Sequence, residues 1–431
     1  MNNWIFIVCL VLYSCNEKDG GHVPLPTTNV KNADQFTPHI SISQDQYFDQ
    51  ILGCLVGSAI GDAMGSPIEM WEREMIQDEY GFVDDLKMNQ RLASAEGPWV
   101  SYMKSGTTTD DTRWKVLMSQ YLLRLPQSVS PDARSFAQFI SNEYDNLKQQ
   151  LIEKDGLEAE NLTNSTRYLF WLQEWAKVSQ AYLTEDLDAY RNASSQFYGG
   201  EMSCAGMLYA PLVGLLYPTD PIMAYQKAWD IGLFDIGYAR DLSSLTAAIT
   251  AAAFDFSTPL DSLLRLHYAV DPQEYLDSRL IGRLALGIYS QARSNSIDST
   301  FDNALTQPLP NYFVGDTSKY LQLLKTYDAM TPHLKSISFH ADEIYRITLN
   351  ALMFSEGDFM DAMVFVINYG RDNDTSGALV GAILGTHLGY SKLPDEMKAS
   401  ILKANKEELN IDLKDLATQL SNKYYNPLWH K

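Results

Sequence analysis

Two glycine ladders constrain this chain more than any other feature of its sequence. In ILGCLVGSAIGDAMGSPIE, Gly53, Gly57, Gly61 and Gly65 recur once per helical turn on one face. In SGALVGAILGTHLGY, Gly377, Gly381, Gly385 and Gly389 repeat the pattern near the other end. Each glycine inside a helix costs several tenths to ~1 kcal/mol relative to alanine. Tight packing is the compensation such ladders predict, so the two helices are expected to pack together, backbone against backbone, at the centre of the fold. A glycine interface of the transmembrane kind is the competing reading. It is set aside because both segments look too short, and too interrupted by polar residues, to span a bilayer.

Docking the ladders brings their acidic ends together, Asp62 and Glu69 from the first segment and Asp372, Asp374 and Thr375 from the second. A third acidic run, Thr109-Asp110-Asp111-Thr112, opens a helix whose apolar residues Trp114, Leu117, Met118, Tyr121, Leu122 and Leu125 share one face before Pro126 ends it. Taken alone, that run is a helix cap: threonine and aspartate accept hydrogen bonds from free N–H groups and suit the positive end of the helix. Taken with the other two clusters, it completes an all-oxygen donor set of the kind that suits Mg²⁺, Mn²⁺ or Ca²⁺. Two ions are expected, to offset so many carboxylates. The sequence has no CxxC pair and no HExxH, and its seven histidines are scattered, which argues against an ordinary zinc site.

Between the ladders the chain reads as helix after helix, including WLQEWAKVSQAYL, YAPLVGLLYP, PIMAYQKAW, SLTAAITAAAF, the Tyr275–Ala292 segment and ADEIYRITLNALMF. No run of alternating β-branched residues bounded by hairpin turns is evident. The fold class is therefore all-α, one compact domain over 45–431, with loops at 89–108 and 192–201 shaping a pocket. Ahead of it, residues 4–13 form an apolar run suited to the core of a secretory signal. That run closes on Leu12-Tyr13-Ser14-Cys15, which resembles a bacterial lipobox. The expectation is a lipoprotein signal peptide over 1–14, lipidation of Cys15, and a polar tether over 15–44. This places the domain at the bacterial cell envelope, periplasmic or surface-exposed, with the lipid as its only membrane contact. The formal charge of −21 counts against nucleic-acid binding through a basic face. Cys54 and Cys204 read as buried free thiols, and a monomer is the default.

Three motifs, in order, resemble the ADP-ribosylglycohydrolase family, which includes ADP-ribosyl-arginine hydrolases and the dinitrogenase reductase-activating glycohydrolase. They are GCLVGSAIGDAMGSPIE with Gly61, Asp62 and Glu69, then TTDDT ending at Thr112, then GRDNDTSGALVGAILG with Asp372, Asp374 and Thr375. The resemblance implies an all-helical fold with a central cleft holding two Mg²⁺ (or Mn²⁺) ions on Thr109, Asp110, Asp111, Asp372, Asp374 and Thr375. Glu69 is the expected catalytic carboxylate for proton transfer, and Asp62 a residue that supports the ligands. The expected activity is metal-dependent cleavage of the ribosyl glycosidic bond in ADP-ribosylated protein or a related small molecule.

The middle of the chain departs from that family's pattern. Where many members have a GNGAAMR-like segment, this chain has Tyr198-Gly199-Gly200-Glu201-Met202-Ser203-Cys204, and no histidine follows in 229–238. Gly199, Gly200, Ser203 and Arg371 are the candidate substrate contacts, and Trp99, Tyr102 and Tyr198 are candidates for stacking on a base or sugar. The departure keeps two alternatives open. One is hydrolysis of an extracytoplasmic nucleoside or other small glycoside. The other is a non-catalytic lipoprotein that binds ADP-ribose or a sugar.

Overall fold

Ser43 starts the first glycine helix, Gln44–Gly65, with a reciprocal cap. Its hydroxyl accepts from the Gln46 N–H while the Gln46 side chain accepts from the Ser43 N–H. The second glycine helix, Asn373–Leu388, lies antiparallel against it. The register is set by the glycines: Gly53 faces Gly385, Gly57 faces Gly381, Gly61 faces Gly377, and Gly65 faces the Asn373–Asp374 peptide. A Cβ at any of these positions would fall within 3.0 Å of the partner's backbone. Such close approach supplies dispersion contacts and Cα–H···O=C contacts along both helices, offsetting the poor helix propensity. Gly389 differs from the other rungs. It ends its helix at φ +81°, and a Cβ there would meet the Asp49 carboxylate, which accepts from the Ser391 N–H and hydroxyl.

The computed structural model describes residues 41–87, 104–126, 129–153, 159–297 and 309–427. Around the glycine pair pack the helices Asp110–Arg124, Ala239–Ala252, Ala341–Ser355 and Phe359–Tyr369, with Asp395–Glu408 and Leu413–Tyr424 on the outer side of the first glycine helix. An aromatic cluster joins the Asp110–Arg124 helix to the helix Ala159–Leu183: the Trp114 and Trp175 rings lie 3.9 Å apart, and Trp175 meets Phe234 edge-on. The chain is thus one compact, mostly helical domain, as its periodicity predicts.

Two expectations need correction. By length and composition, Gln44–Ile68 does reach the dimensions of a membrane span, at 25 residues and a mean hydropathy of 1.4. Its most apolar stretch is nevertheless fully buried inside the protein, so packing rather than shortness marks it as a core helix. The Tyr275–Ala292 helix is also shorter than its composition suggests. Only Leu284–Ile297 is regular, because Gly282 takes φ +69° and the chain turns to bury Arg283 against Asp241.

Candidate active site

Asp62 sits on the first glycine helix, fully buried, and caps the neighbouring helix rather than its own. Its Oδ1 accepts from the Thr109 N–H at 2.9 Å. Its Oδ2 accepts from the Thr112 N–H at 2.9 Å and the Thr112 hydroxyl at 2.7 Å. Free N–H groups at the start of Asp110–Arg124 are thereby satisfied by a carboxylate from another element. The two adjacent aspartates, Asp110 and Asp111, are thus held at a fixed place beside the glycine pair. Within the cap, the Thr109 hydroxyl donates to Asp374 Oδ2 at 3.3 Å and the Thr375 hydroxyl to Asp111 Oδ2 at 2.9 Å. These contacts join the second and third acidic motifs directly.

Glu69 and Asp372 are brought together by a short antiparallel bridge in which Trp71–Glu72 pairs with Gly370–Arg371 and the Met70 N–H donates to the Arg371 carbonyl. Met70 and Arg371 both take φ +64°, left-handed backbone that costs non-glycine residues about 1–3 kcal/mol each. Strain of this kind persists only where the surroundings impose it, here on the residues beside the two carboxylates. The bridge was not legible as a strand, being only two residues on each side.

Glu69, Asp372 and Asp374 can each present an oxygen such that all three lie within 4.8 Å of one another. A hard ion with bonds of about 2.1–2.5 Å requires ligand oxygens no more than about 4–5 Å apart, so the three carboxylates fit one such ion. Burial pushes the Asp62 carboxyl above the usual carboxylate range, and the charge of Asp374 adds to this. Burial likewise raises Asp111; Lys115 opposes that rise, while Asp62 and Asp110 reinforce it. Oδ1 of Asp111 is buried with no hydrogen-bond partner among the described residues. Crowded, desolvated carboxylates with an orphaned oxygen are the chemistry a divalent cation relieves. The structure places Glu69 within the carboxylate cluster, not apart from it.

The cleft above the cluster has a volume of about 410 Å³, open solvent included, and Asp110, Asp111 and Thr375 also line it. Trp175, Tyr198 and Phe339 form its aromatic wall, and Ser203 and Cys204 contribute to its lining. Trp175 donates through Nε1 to the Tyr198 hydroxyl at 3.3 Å, which fixes two of the rings relative to each other. Phe339 is held beside Cys204 by the Cys204 N–H, which donates to the Phe339 carbonyl. Of the expected substrate contacts, Ser203 reaches the cleft. Gly199 and Gly200 serve a left-handed turn behind Tyr198, with φ of +74° and +81°. Arg371 is engaged elsewhere, pairing through Nε with Glu343 at 2.7 Å and through an outer guanidinium nitrogen with Glu72 at 3.1 Å. Those ion pairs account for its position.

Cys15, Trp99 and Tyr102 lie outside the described residues. Trp175 and Phe339 come from remote helical and loop segments with no local motif to announce them. Lys115 carries a local signal, a charged residue one turn after Asp111 on the buried side of its helix.

A family model described as ADP-ribosylglycohydrolase matches residues 43–427. The chain belongs to the ADP-ribosylglycohydrolase family. "Uncharacterized protein YegU" of Escherichia coli (strain K12) is 32% identical over 84 residues, which is 20% of this chain and 24% of that protein. The chain thus aligns with only about a quarter of that relative's length. A solved structure, "ADP-ribosylglycohydrolase-related protein complex", superposes with a TM-score of 0.51 over 88% of this chain and all of its own, at 17% identity. That likeness concerns the fold.

Proposed function

We propose that the chain is a metal-dependent hydrolase that cleaves the ribosyl glycosidic bond of ADP-ribosylated protein or a related ribosyl compound. The observation that carries this reading is the convergence of Glu69, Asp372 and Asp374 at the floor of a cleft also lined by Asp110 and Asp111. Mg²⁺ or Mn²⁺ would be held by Glu69, Asp372 and Asp374 with Asp110, Asp111, Thr109 and Thr375 beside them, and when bound would supply orientation of a ribose diol and polarisation of water. Glu69 is assigned proton transfer at its carboxylate, because glycosidic cleavage passes through an oxocarbenium-like state and needs a carboxyl group to move protons. Asp62 keeps the Thr109–Thr112 cap, and with it the paired aspartates, at a fixed distance from the second glycine helix. The aromatic wall of Trp175, Tyr198 and Phe339 excludes water from one side of the cleft and offers a planar surface to a base or sugar.

A second reading, hydrolysis of a nucleoside or small neutral glycoside, is favoured by one observation. Among the described residues lining the cleft there are four carboxylates and no lysine or arginine to meet a diphosphate. A hydrolysis screen separates the two readings. The chain would be given Mg²⁺ or Mn²⁺ with ADP-ribosyl-arginine, ADP-ribosyl-serine, O-acetyl-ADP-ribose, nucleosides and simple glycosides, with Asp374→Ala as control. Release of ADP-ribose that vanishes in the control supports the first reading, and turnover confined to nucleosides or glycosides supports the second. No metal-dependent turnover of any substrate contradicts both. Attachment to the cell envelope through Cys15 belongs to the same proposal, and Cys15→Ser should leave the protein unlipidated and out of the membrane fraction.

A further inference from the structure

Glu343 belongs to none of the three motifs, yet its carboxylate ties the acidic floor of the cleft to the aromatic wall. It stands in the first turn of the helix Ala341–Ser355, and its side chain is 3% exposed. Oε1 accepts from Arg371 Nε at 2.7 Å. Oε2 accepts from an outer guanidinium nitrogen of Arg371 at 3.2 Å and from the Lys335 N–H at 2.7 Å. The same nitrogen of Arg371 donates to the Lys335 carbonyl at 2.9 Å, and the other outer nitrogen donates to Glu72 at 3.1 Å. Two stretches of chain meet in this knot. One is the bridge of Trp71–Glu72 with Gly370–Arg371, flanked by Glu69 and Asp372. The other runs from Lys335 to Phe339, which lines the cleft. Neither Glu343 nor Arg371 is among the described residues that line it.

Backbone geometry shows what the knot holds. Gly370 and Arg371 take φ of +82° and +64° in succession, directly before Asp372. Glycine adopts such a conformation freely, but arginine does so only under restraint. Arg371 is restrained at both ends: its carbonyl accepts from the Met70 N–H at 2.7 Å, and its guanidinium is held by the Glu343 carboxylate. A two-pronged arginine–carboxylate contact fixes direction as well as distance, which a lysine does not. We propose that Glu343 and Arg371 are positioning residues, whose buried ion pair sets the separation of Asp372 from Glu69 and, through Lys335, the place of Phe339 in the wall. The inference rests on the metal reading given above and deepens it. Glu69, Asp372 and Asp374 can bring oxygens within 4.8 Å of one another, a spacing that like charges oppose until an ion is bound. With the fork intact the carboxylates keep that spacing. With it loosened they spread, and an incoming ion has to draw them back.

The test is calorimetric titration of the full chain with Mn²⁺, comparing the wild type with Glu343→Gln and Arg371→Lys. The control is Arg283→Met, which breaks a buried ion pair away from the cleft lining. Glu343→Gln keeps the shape and loses the charge, whereas Arg371→Lys keeps the charge and loses the fork. Each should weaken Mn²⁺ binding by about tenfold or more, the usual effect of removing a partner that supports a metal ligand. The double variant should weaken it little beyond the worse single, because the two residues act as one unit. Arg283→Met should lower the Tm and leave Mn²⁺ affinity within about twofold of wild type. Hydrogen exchange on the wild type gives a readout that needs no variant: Mn²⁺ should slow exchange across 335–343 as well as across 69–72 and 370–374. Folded Glu343→Gln and Arg371→Lys with unchanged affinity would overturn the proposal, as would protection confined to the segments that carry the three carboxylates. So would an equal loss of affinity in Arg283→Met, since affinity would then follow stability alone. Absence of Mn²⁺ binding to the wild type would overturn the metal reading beneath it as well.

Discussion

The pair Asp111–Lys115 and the pair Asp241–Arg283 are both buried ion pairs, yet they are built differently. Arg283 donates to both carboxylate oxygens of Asp241, at 3.0 and 2.7 Å, and spends its remaining terminal nitrogen on the His267 and Val270 carbonyls. Tyr225 donates to the same carboxylate at 2.6 Å. Beside them the Nδ1 of His267 donates to the Leu264 carbonyl, so its Nε2 accepts from the Tyr345 hydroxyl, each at 2.6 Å. This network is saturated with hydrogen bonds. At Asp111 and Lys115 the facing oxygen and nitrogen are 3.6 Å apart and otherwise unmatched. A saturated buried network holds helices together and has no capacity for a ligand, whereas an unsaturated one beside a cleft retains electrostatic demand that a cation can meet.

The largest effect that sharpens this contrast is expected from Arg283→Met. It strands the Asp241 carboxylate and should cost about 3–5 kcal/mol in urea denaturation. Mn²⁺ should restore none of that loss; rescue by metal would break the comparison. Asp374→Ala should do the reverse, leaving metal-free stability close to wild type, because it removes a like charge from the cluster. Its Mn²⁺ affinity, measured by calorimetry, should fall by about 100-fold or more, beyond the cost of losing a supporting partner. His267 gives the pH dependence of the saturated network. Burial holds its imidazole down, to about 3 from an ordinary 6.5, with the nearby Arg283 charge adding to the effect. The unfolded chain then binds the extra proton first, so stability is intact above pH 6.5 and is lost as pH falls below it, by about 1.4 kcal/mol per unit. His267→Gln should flatten that slope in melts recorded between pH 6.5 and 4.5. The smallest effect is expected from Asp62→Asn. Some of its hydrogen bonds to the Thr109–Thr112 cap survive, and Mn²⁺ affinity should weaken by about tenfold.

Much of the centre was legible because its signals are local. A glycine every fourth residue declares a close helix contact whatever the partner, and Thr109–Thr112 reads as a helix start from its capping chemistry. That the acidic motifs meet followed from docking the ladders, and the structure joins them through Thr109 to Asp374 and Thr375 to Asp111. What escaped was set by tertiary context. Gly282 breaks a segment that reads as one continuous helix, because burying Arg283 against Asp241 decides the path there. Arg371 reads as a candidate substrate contact, and only the position of Glu343, twenty-eight residues earlier in the chain, shows how it is engaged. Trp175 and Phe339 line the same cleft from segments more than a hundred residues apart, which no periodicity reports. Lys115 was visible as a charge on an apolar helical face, but its meaning depends on how deeply that face is buried.

The most direct test of the account is crystallography of the protein grown with Mn²⁺, with anomalous data collected at the manganese edge. The account predicts a strong anomalous peak within coordination distance of carboxylate oxygens of Glu69, Asp372 and Asp374. Crystals saturated with Mn²⁺ that show no peak among those three carboxylates would contradict it.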